Sequence, residues 1–165
     1  MRQKLDVFLA ELEGIIENIL SKNNLKKIGT EVVHDMKVRT TLGEGVKSSG
    51  SRPSSFASLK PATIEDRKKV RRLSNLTRPN LSNLTRTGKM VNSISFKVKT
   101  NSIQIYLKGN RNNKIATYHM EGTKNMPARP FFNLSNFEVD RVQQMLQVAL
   151  DEYLAEKFNN EISLI

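Results

Sequence analysis

The spacing of apolar residues changes period twice along this chain, and that change limits the fold more than any other feature. From Leu5 the apolar positions are Leu5, Phe8, Leu9, Leu12, Ile15, Ile16 and Ile19. This is the i, i+3, i+4, i+7 spacing of one helix face, and it predicts a helix from about Gln3 to Ser21. A weaker helical pattern follows in Leu25, Ile28, Val32, Val33 and Met36, interrupted by Gly29, so the two stretches read as one bent element or two. From Ile94 the period drops to two. Ile94, Phe96 and Val98 alternate with Ser95, Lys97 and Lys99, and Ile103, Ile105 and Leu107 alternate with Gln104, Tyr106 and Lys108. With Thr100-Asn101 between them, these predict a β-hairpin with one buried face. After the turn-rich residues 109–113, Lys114 to Glu121 reads as a third strand with Ala116, Tyr118 and Met120 inward, ended by Gly122. The helical period then returns in Val139, Val142, Met145, Leu146, Ala149, Leu150, Tyr153 and Leu154 and runs to about Phe158. Ser135, followed three residues on by Glu138, reads as a capping box, with Leu134 and Val139 placed as a hydrophobic staple. The expected fold class is therefore α+β: an antiparallel sheet of three or more strands, about Asn92 to Glu121, packed against N- and C-terminal helices on one face.

Between these periodic regions the texture changes. Residues 41–83 are rich in Gly, Ser, Pro and cations and carry isolated apolar residues without a long period, which predicts a long basic arm or loop. The only local helix signal is Pro61 followed by Thr63 to Leu73. The hexapeptide LSNLTR occurs at Leu73 to Arg78 and again at Leu81 to Arg86, too short a period for a solenoid. The chain of 165 residues, 38% hydrophobic, suits a single domain with one modest core. Its parts are N-terminal helices over 1–40, the arm over 41–83, the sheet over 84–132 and the C-terminal helix over 133–165.

Charge concentrates in the arm. The whole chain carries a net charge of +11, and 11 cations against two acids fall between Lys47 and Lys89. Such an excess points to a polyanion or a strongly acidic partner. Arg67, Lys68, Lys69, Arg71 and Arg72 are the candidates for contacting phosphates, a contact that needs no base sequence. A solvated loop, or one paired with acidic surface on a neighbouring subunit, is the plainer reading of the same residues. With few apolar residues to offset its ordering, the arm is expected to become ordered on assembly, with Phe56, Leu59 and Ile64 docking into a neighbour. Phe56 is the one aromatic there, too few for stacking on single-stranded bases.

Catalysis has little to build on. There is no cysteine, and the two histidines, His34 and His119, read as structural, because neither has a nucleophile and an orienting group at a recognisable spacing. No Walker loop, GxSxG, HExxH or GxGxxG is present. The expectation is no enzyme, no cofactor and no metal. The apolar stretches fall far short of the roughly 18 residues of a membrane span, and the first residues carry acids where a signal peptide is apolar. The polar face of the C-terminal helix is acidic, with Glu138, Asp140, Asp151, Glu152 and Glu156, which argues against a membrane partner. These features read as a soluble, intracellular protein.

Four stretches occur in a fixed order: Phe56-x-x-Leu59-x-x-Ala62-Thr63; Leu84-Thr85-Arg86-Thr87-Gly88-Lys89-Met90-Val91-Asn92-Ser93-Ile94; Tyr118-His119-Met120-Glu121-Gly122; and Met126-Pro127-Ala128-Arg129-Pro130-Phe131-Phe132. From Phe56 to the C-terminal helix the chain resembles the tail-completion and virion-morphogenesis proteins of tailed bacteriophages, a group similar to the neck proteins that join head to tail. Thr87, Gly88, Ser93, His119, Gly122, Pro127, Arg129, Pro130 and Phe131 carry that resemblance and have structural roles. Thr87-Gly88 suits a tight turn leading into the strand, and Pro127 and Pro130 fix the path from sheet to helix. The resemblance implies a non-enzymatic virion protein assembled in the host cytoplasm. It would form a cyclic ring of six copies, or twelve on the connector side, at the head-proximal end of the tail or in the neck. Its partners would be tail tube or terminator proteins, head connector proteins and genomic DNA in the lumen. A basic, non-specific double-stranded-DNA-binding protein is the alternative expected from charge.

Overall fold

The computed structural model describes residues 12–69, 81, 84, 85 and 87–162, the last three without their side chains. In order they form α1 (residues 12–19), α2 (Lys22–Thr41), β1 (Glu44–Gly45), β2 (Ser54–Ser55), α3 (Pro61–Lys69), α4 (Lys89–Asn92), β3 (Ile94–Lys99), β4 (Ser102–Leu107), α5 (Asn110–Glu121) and α6 (Asn136–Ile162). The first part of the predicted Gln3 to Ser21 helix lies outside the described residues. Ser21 separates α1 from α2 as the N-cap of α2, its side chain accepting from the Asn24 N–H at 3.4 Å.

β3 and β4 pair antiparallel from Ile94↔Leu107 to Lys99↔Ser102 around the two-residue turn Thr100-Asn101. Their inward face meets α2, whose buried residues include Leu25, Ile28, Val32, Val33 and Met36. Gly29 sits where the helix comes closest to the hairpin: a Cβ there would stand 2.8 Å from Phe96 Cγ and nearer still to the ring edge. The missing side chain makes room for the phenyl ring. α2 also carries α6, with Ile28, Val32 and Met36 packed by Val142, Met145 and Leu146. Ile103 and Ile105 of β4 pack against the same three α2 residues, so hairpin, α2 and α6 share one cluster.

The expected sheet of three or more strands does not form. The described residues hold two separate two-stranded antiparallel sheets, β1–β2 and β3–β4, and Lys114 to Glu121 lies within α5. Ala116 and Met120 satisfy both readings, being four apart as well as on alternate positions. The decision comes from their neighbours: Asn112, Ile115, Ala116, His119 and Met120 share the partly or fully buried face while Tyr118 points outward. That is helical spacing. Gly109 and Gly122, with φ of +90° and +78°, bracket the helix.

The arm also differs from expectation. Its first part belongs to the body, because Val46 and Phe56 are buried and β1–β2 closes the loop between them. The Val46 N–H donates to the Pro130 carbonyl at 2.7 Å, and the Gly50 N–H to the Leu134 carbonyl at 2.9 Å. From Pro61 a nine-residue helix, α3, follows. Residues 70–80, 82, 83 and 86 lie outside the described residues.

One buried polar network ties the layers together. Ser135 and Glu138 form the capping box: the Ser135 N–H donates to Glu138 Oε2 at 2.6 Å and the Glu138 N–H to Ser135 Oγ at 3.2 Å. Glu138 Oε1 also accepts from Arg39 Nε at 2.9 Å, both side chains being buried. The same guanidinium donates to the carbonyls of Phe131 and Asn133 at 3.2 and 2.9 Å. Asn133 Nδ2 in turn donates to the carbonyls of Val46 and Lys47 at 2.9 and 3.0 Å. One ion pair thus joins α2, the Pro130 connector, the start of the arm and α6.

Candidate functional site

Among the described residues of the basic cluster, Arg67, Lys68 and Lys69 do not share one open cationic face. Arg67 is turned inward, 5% exposed, and its Nη1 donates to the Leu81 carbonyl at 2.9 Å. Lys68 pairs with Glu65 at 2.7 Å in the open, and Lys69 is exposed. Arg71 and Arg72 lie outside the described residues. Of the three predicted docking anchors, Phe56 is corrected: it is buried in the chain's own core with Val33, Met90, Ile94 and Phe131. A side chain already covered by its own subunit cannot anchor to another. Leu59 and Ile64 are half-buried.

The motif residues do converge. Leu84, Met90, Val91, Ile94 and Phe131 fill one core cluster. Ser93 is buried, its Oγ donating to the Met90 carbonyl at 2.6 Å. Gly88, at φ +68°, caps the one-turn helix α4 rather than leading straight into the strand, while Thr87 is exposed. The C-cap Gly122 adopts φ 78° and ψ 177°, a conformation open essentially to glycine alone. Beside it the Arg129 N–H donates to the His119 carbonyl at 2.6 Å, which folds the connector against the end of α5.

This fold-back opens a cavity of about 460 Å³ lined by Leu59, Lys60, Arg67, Leu84, His119, Met126, Pro127 and Arg129 among others. It brings α3 against α5 and the connector, although some 40 residues of chain separate α3 from α5. Arg129 is 5% exposed and its Nη2 donates to the Ala57 carbonyl at 3.3 Å. Burial lowers the Arg129 pKa. His119 Nδ1 is buried with no hydrogen-bond partner, and burial, then the charges of Arg129 and Arg67, push the His119 pKa down to about 4. The imidazole is neutral at physiological pH. No group of three or more His, Cys, Asp or Glu suited to a metal occurs among the described residues.

A second feature lies on the outer helices. α2 and α6 run antiparallel: Arg39 meets Glu138, Asp35 and Glu31 meet Arg141 at 3.2 and 3.1 Å, and Ile28 packs in the cluster with Met145. At one end Val38, Leu42 and Phe137 are 41%, 60% and 63% exposed and line one hollow of about 470 Å³ with Arg52 and Pro53. At the other end α6 runs on past the start of α2 and exposes Leu154 and Phe158, the latter at 63%. Phe137 and Phe158 are thus about 30 Å apart along one helix. Phe137 and Leu42 were not singled out in the sequence, because neither belongs to a periodic stripe. Among the described residues no helix is long and apolar enough to cross a membrane.

Compared with family models, curated proteins and solved structures, the chain matches none.

Proposed function

We propose that this chain is a structural virion protein of a tailed phage, a ring-forming subunit at the head-proximal end of the tail or in the neck that completes the tail and joins it to the head connector. The observation that carries the assembly reading is the pair of exposed apolar patches at opposite ends of the α2–α6 layer, Val38, Leu42 and Phe137 at one and Leu154 and Phe158 at the other. Contiguous exposed apolar surface marks an interaction site. Two different patches about 30 Å apart favour a heterologous contact, one end of a subunit on the other end of the next, and such contacts form a ring where the rotation between neighbours closes. The placement in a tail or neck rests on the ordered motif resemblance, with six copies as the proposed number and twelve as the alternative. Lumen DNA remains a proposed neighbour.

Light scattering on the full chain tests this. The expected result is a closed oligomer, six copies or twelve, that Phe137→Glu and Phe158→Glu each reduce to a folded monomer. A wild-type monomer at all concentrations overturns the ring. A monomer that also binds short duplexes with steep salt dependence would instead support the DNA-binding alternative, which is weakened here by the inward position of Arg67 and the local pairing of Lys68.

A further inference from the structure

The face of α1 that carries its apolar spacing is open. Leu12 and Ile16, one turn apart, are 37% and 51% exposed, and only Ile15 and Ile19 of this helix are half-buried. Glu13 and Glu17 are exposed beside them, and residues 12–19 hold no cation although the whole chain has a net charge of +11. Helices in proteins draw most of their stability from packing an apolar face, so an open face of this kind is where a partner packs. A surface that suits it lies between α2 and α6. Two hollows of about 700 and 320 Å³ share Lys27, Gln144 and Met145 and so form one groove. Ile28, Met145 and Ala149 make its floor apolar, and Val148 at its edge is 54% exposed. Lys26 and Lys27 stand exposed on the α2 rim, where Glu31 is already paired with Arg141 at 3.1 Å. α6 lines the groove from Arg141 to Glu152, about 16 Å at the helical rise, against about 12 Å for α1.

We propose that α1 of a second copy lies in this groove, with Leu12 and Ile16 on Ile28, Met145 and Val148, and with Glu13 and Glu17 against Lys26 and Lys27. An amphipathic helix laying its apolar face into a groove is a recurrent mode of recognition, and residues four apart supply the anchors. The opposite charges of helix and rim select this occupant. The chain's own α1 does not fill the groove, since Leu12 and Ile16 are exposed in the single subunit. Its joint to α2 is also short: Asn24 Nδ2 donates to the Asn18 and Ile19 carbonyls at 3.4 and 3.2 Å, which holds the end of α1 to the first turn of α2. The inference rests on the ring reading and adds a second contact to it. α1 joins the body at the start of α2, the end at which α6 exposes Leu154 and Phe158. Arg141 lines both the groove and the hollow of Phe137, so a neighbour placed end to end brings its groove to α1.

The chain has no cysteine, so introduced pairs report the contact directly. Full-length Leu12→Cys and Gln144→Cys chains are co-expressed and treated with a bismaleimide, and the mass of the wild type is followed by light scattering alongside. The expected result is a link between the two chains, and from the double variant a ladder of linked chains that ends at the size of the ring. Ser102→Cys at the hairpin turn, used in place of Leu12→Cys, is the control and should link far less. Glu13→Lys with Glu17→Lys should cut the link several-fold at low salt, and Lys26→Glu with Lys27→Glu on the groove chain should restore it. Linking no greater than in the control, links only within one chain, or no restoration by the second charge reversal overturns the contact. An oligomeric wild type without the link removes this contact and leaves the ring reading standing, whereas a monomeric wild type removes both.

Discussion

The two halves of α6 carry the same kind of residue in different surroundings. In the first half Val142, Met145 and Leu146 close over Ile28, Val32 and Met36 of α2, and the N-terminal turn holds a buried ion pair. In the second half Leu154 and Phe158 continue the apolar spacing and face solvent. The sequence stripe does not change between them. What changes is the length of the partner helix: α2 has 20 residues and α6 has 27, so an antiparallel pair anchored at Arg39–Glu138 leaves the far end of α6 beyond α2. A helix stripe is therefore evidence of burial only as far as something lies against it. Where the chain supplies no cover, a partner is the physical expectation.

The largest effect expected from this contrast is at the anchored end. Glu138→Gln removes the countercharge of Arg39 while leaving the guanidinium buried among carbonyls, and it weakens the capping box as well. Breaking a buried pair from one side costs about 3–5 kcal/mol. Urea unfolding of the variant should show a midpoint shift of that size with an unchanged slope. A change below about 1 kcal/mol, the range of an exposed pair, would mean that the anchor is solvated and that the two halves of α6 differ less than the packing indicates.

How much of this contrast was legible beforehand follows the range of the forces involved. Local signals carried through: Ser135 and Glu138 form the capping box, the hairpin pairs about Thr100-Asn101, and the α2 stripe is buried where its spacing places it. Gly29 was readable only as a weak point in a helix, because the ring that fills its space comes from Phe96, far along the chain. Nothing local in the sequence distinguishes Arg39 as a guanidinium that will meet Glu138. Ala116 and Met120 suited a strand and a helix equally, and the strand reading failed there. The cavity was legible only in pieces. Leu59, Arg67, His119, Pro127 and Arg129 were each singled out for other reasons, and their convergence depends on the connector folding back onto the end of α5.

A smaller effect is expected from His119, a half-buried group on α5. Its folded-state pKa, about 4, lies below the ordinary value of 6.5. Between those pH values the unfolded chain takes up a proton that the folded chain refuses, so stability falls as pH drops through that window. Burial, then the charges of Arg129 and Arg67, oppose its protonation. With allowance for its partial exposure the loss is on the order of 2 kcal/mol. Other groups titrate in the same range, so the measurement is the difference between wild type and His119→Gln in urea unfolding at pH 7 and pH 4.5. Parallel losses in both proteins would assign the acid sensitivity elsewhere.

The smallest effect on folding is expected at the uncovered end, and its smallness is what the comparison requires. Phe158 is 63% exposed and lies beyond the start of α2, so Phe158→Ser removes little surface that the single chain had buried. Surface changes of this kind fall within about 0.5 kcal/mol. Assembly complicates the measurement, because a subunit held in a ring gains apparent stability with concentration. Unfolding midpoints are therefore taken over a dilution series. At high dilution wild type and Phe158→Ser should coincide, and as concentration rises wild type alone should gain stability. The result separates the two roles a helix stripe can have: one half holds the subunit together and the other holds subunits to each other. A loss of several kcal/mol at high dilution would show that the second half of α6 is covered by its own chain after all, and the patch containing Leu154 and Phe158 would no longer be free for a neighbour.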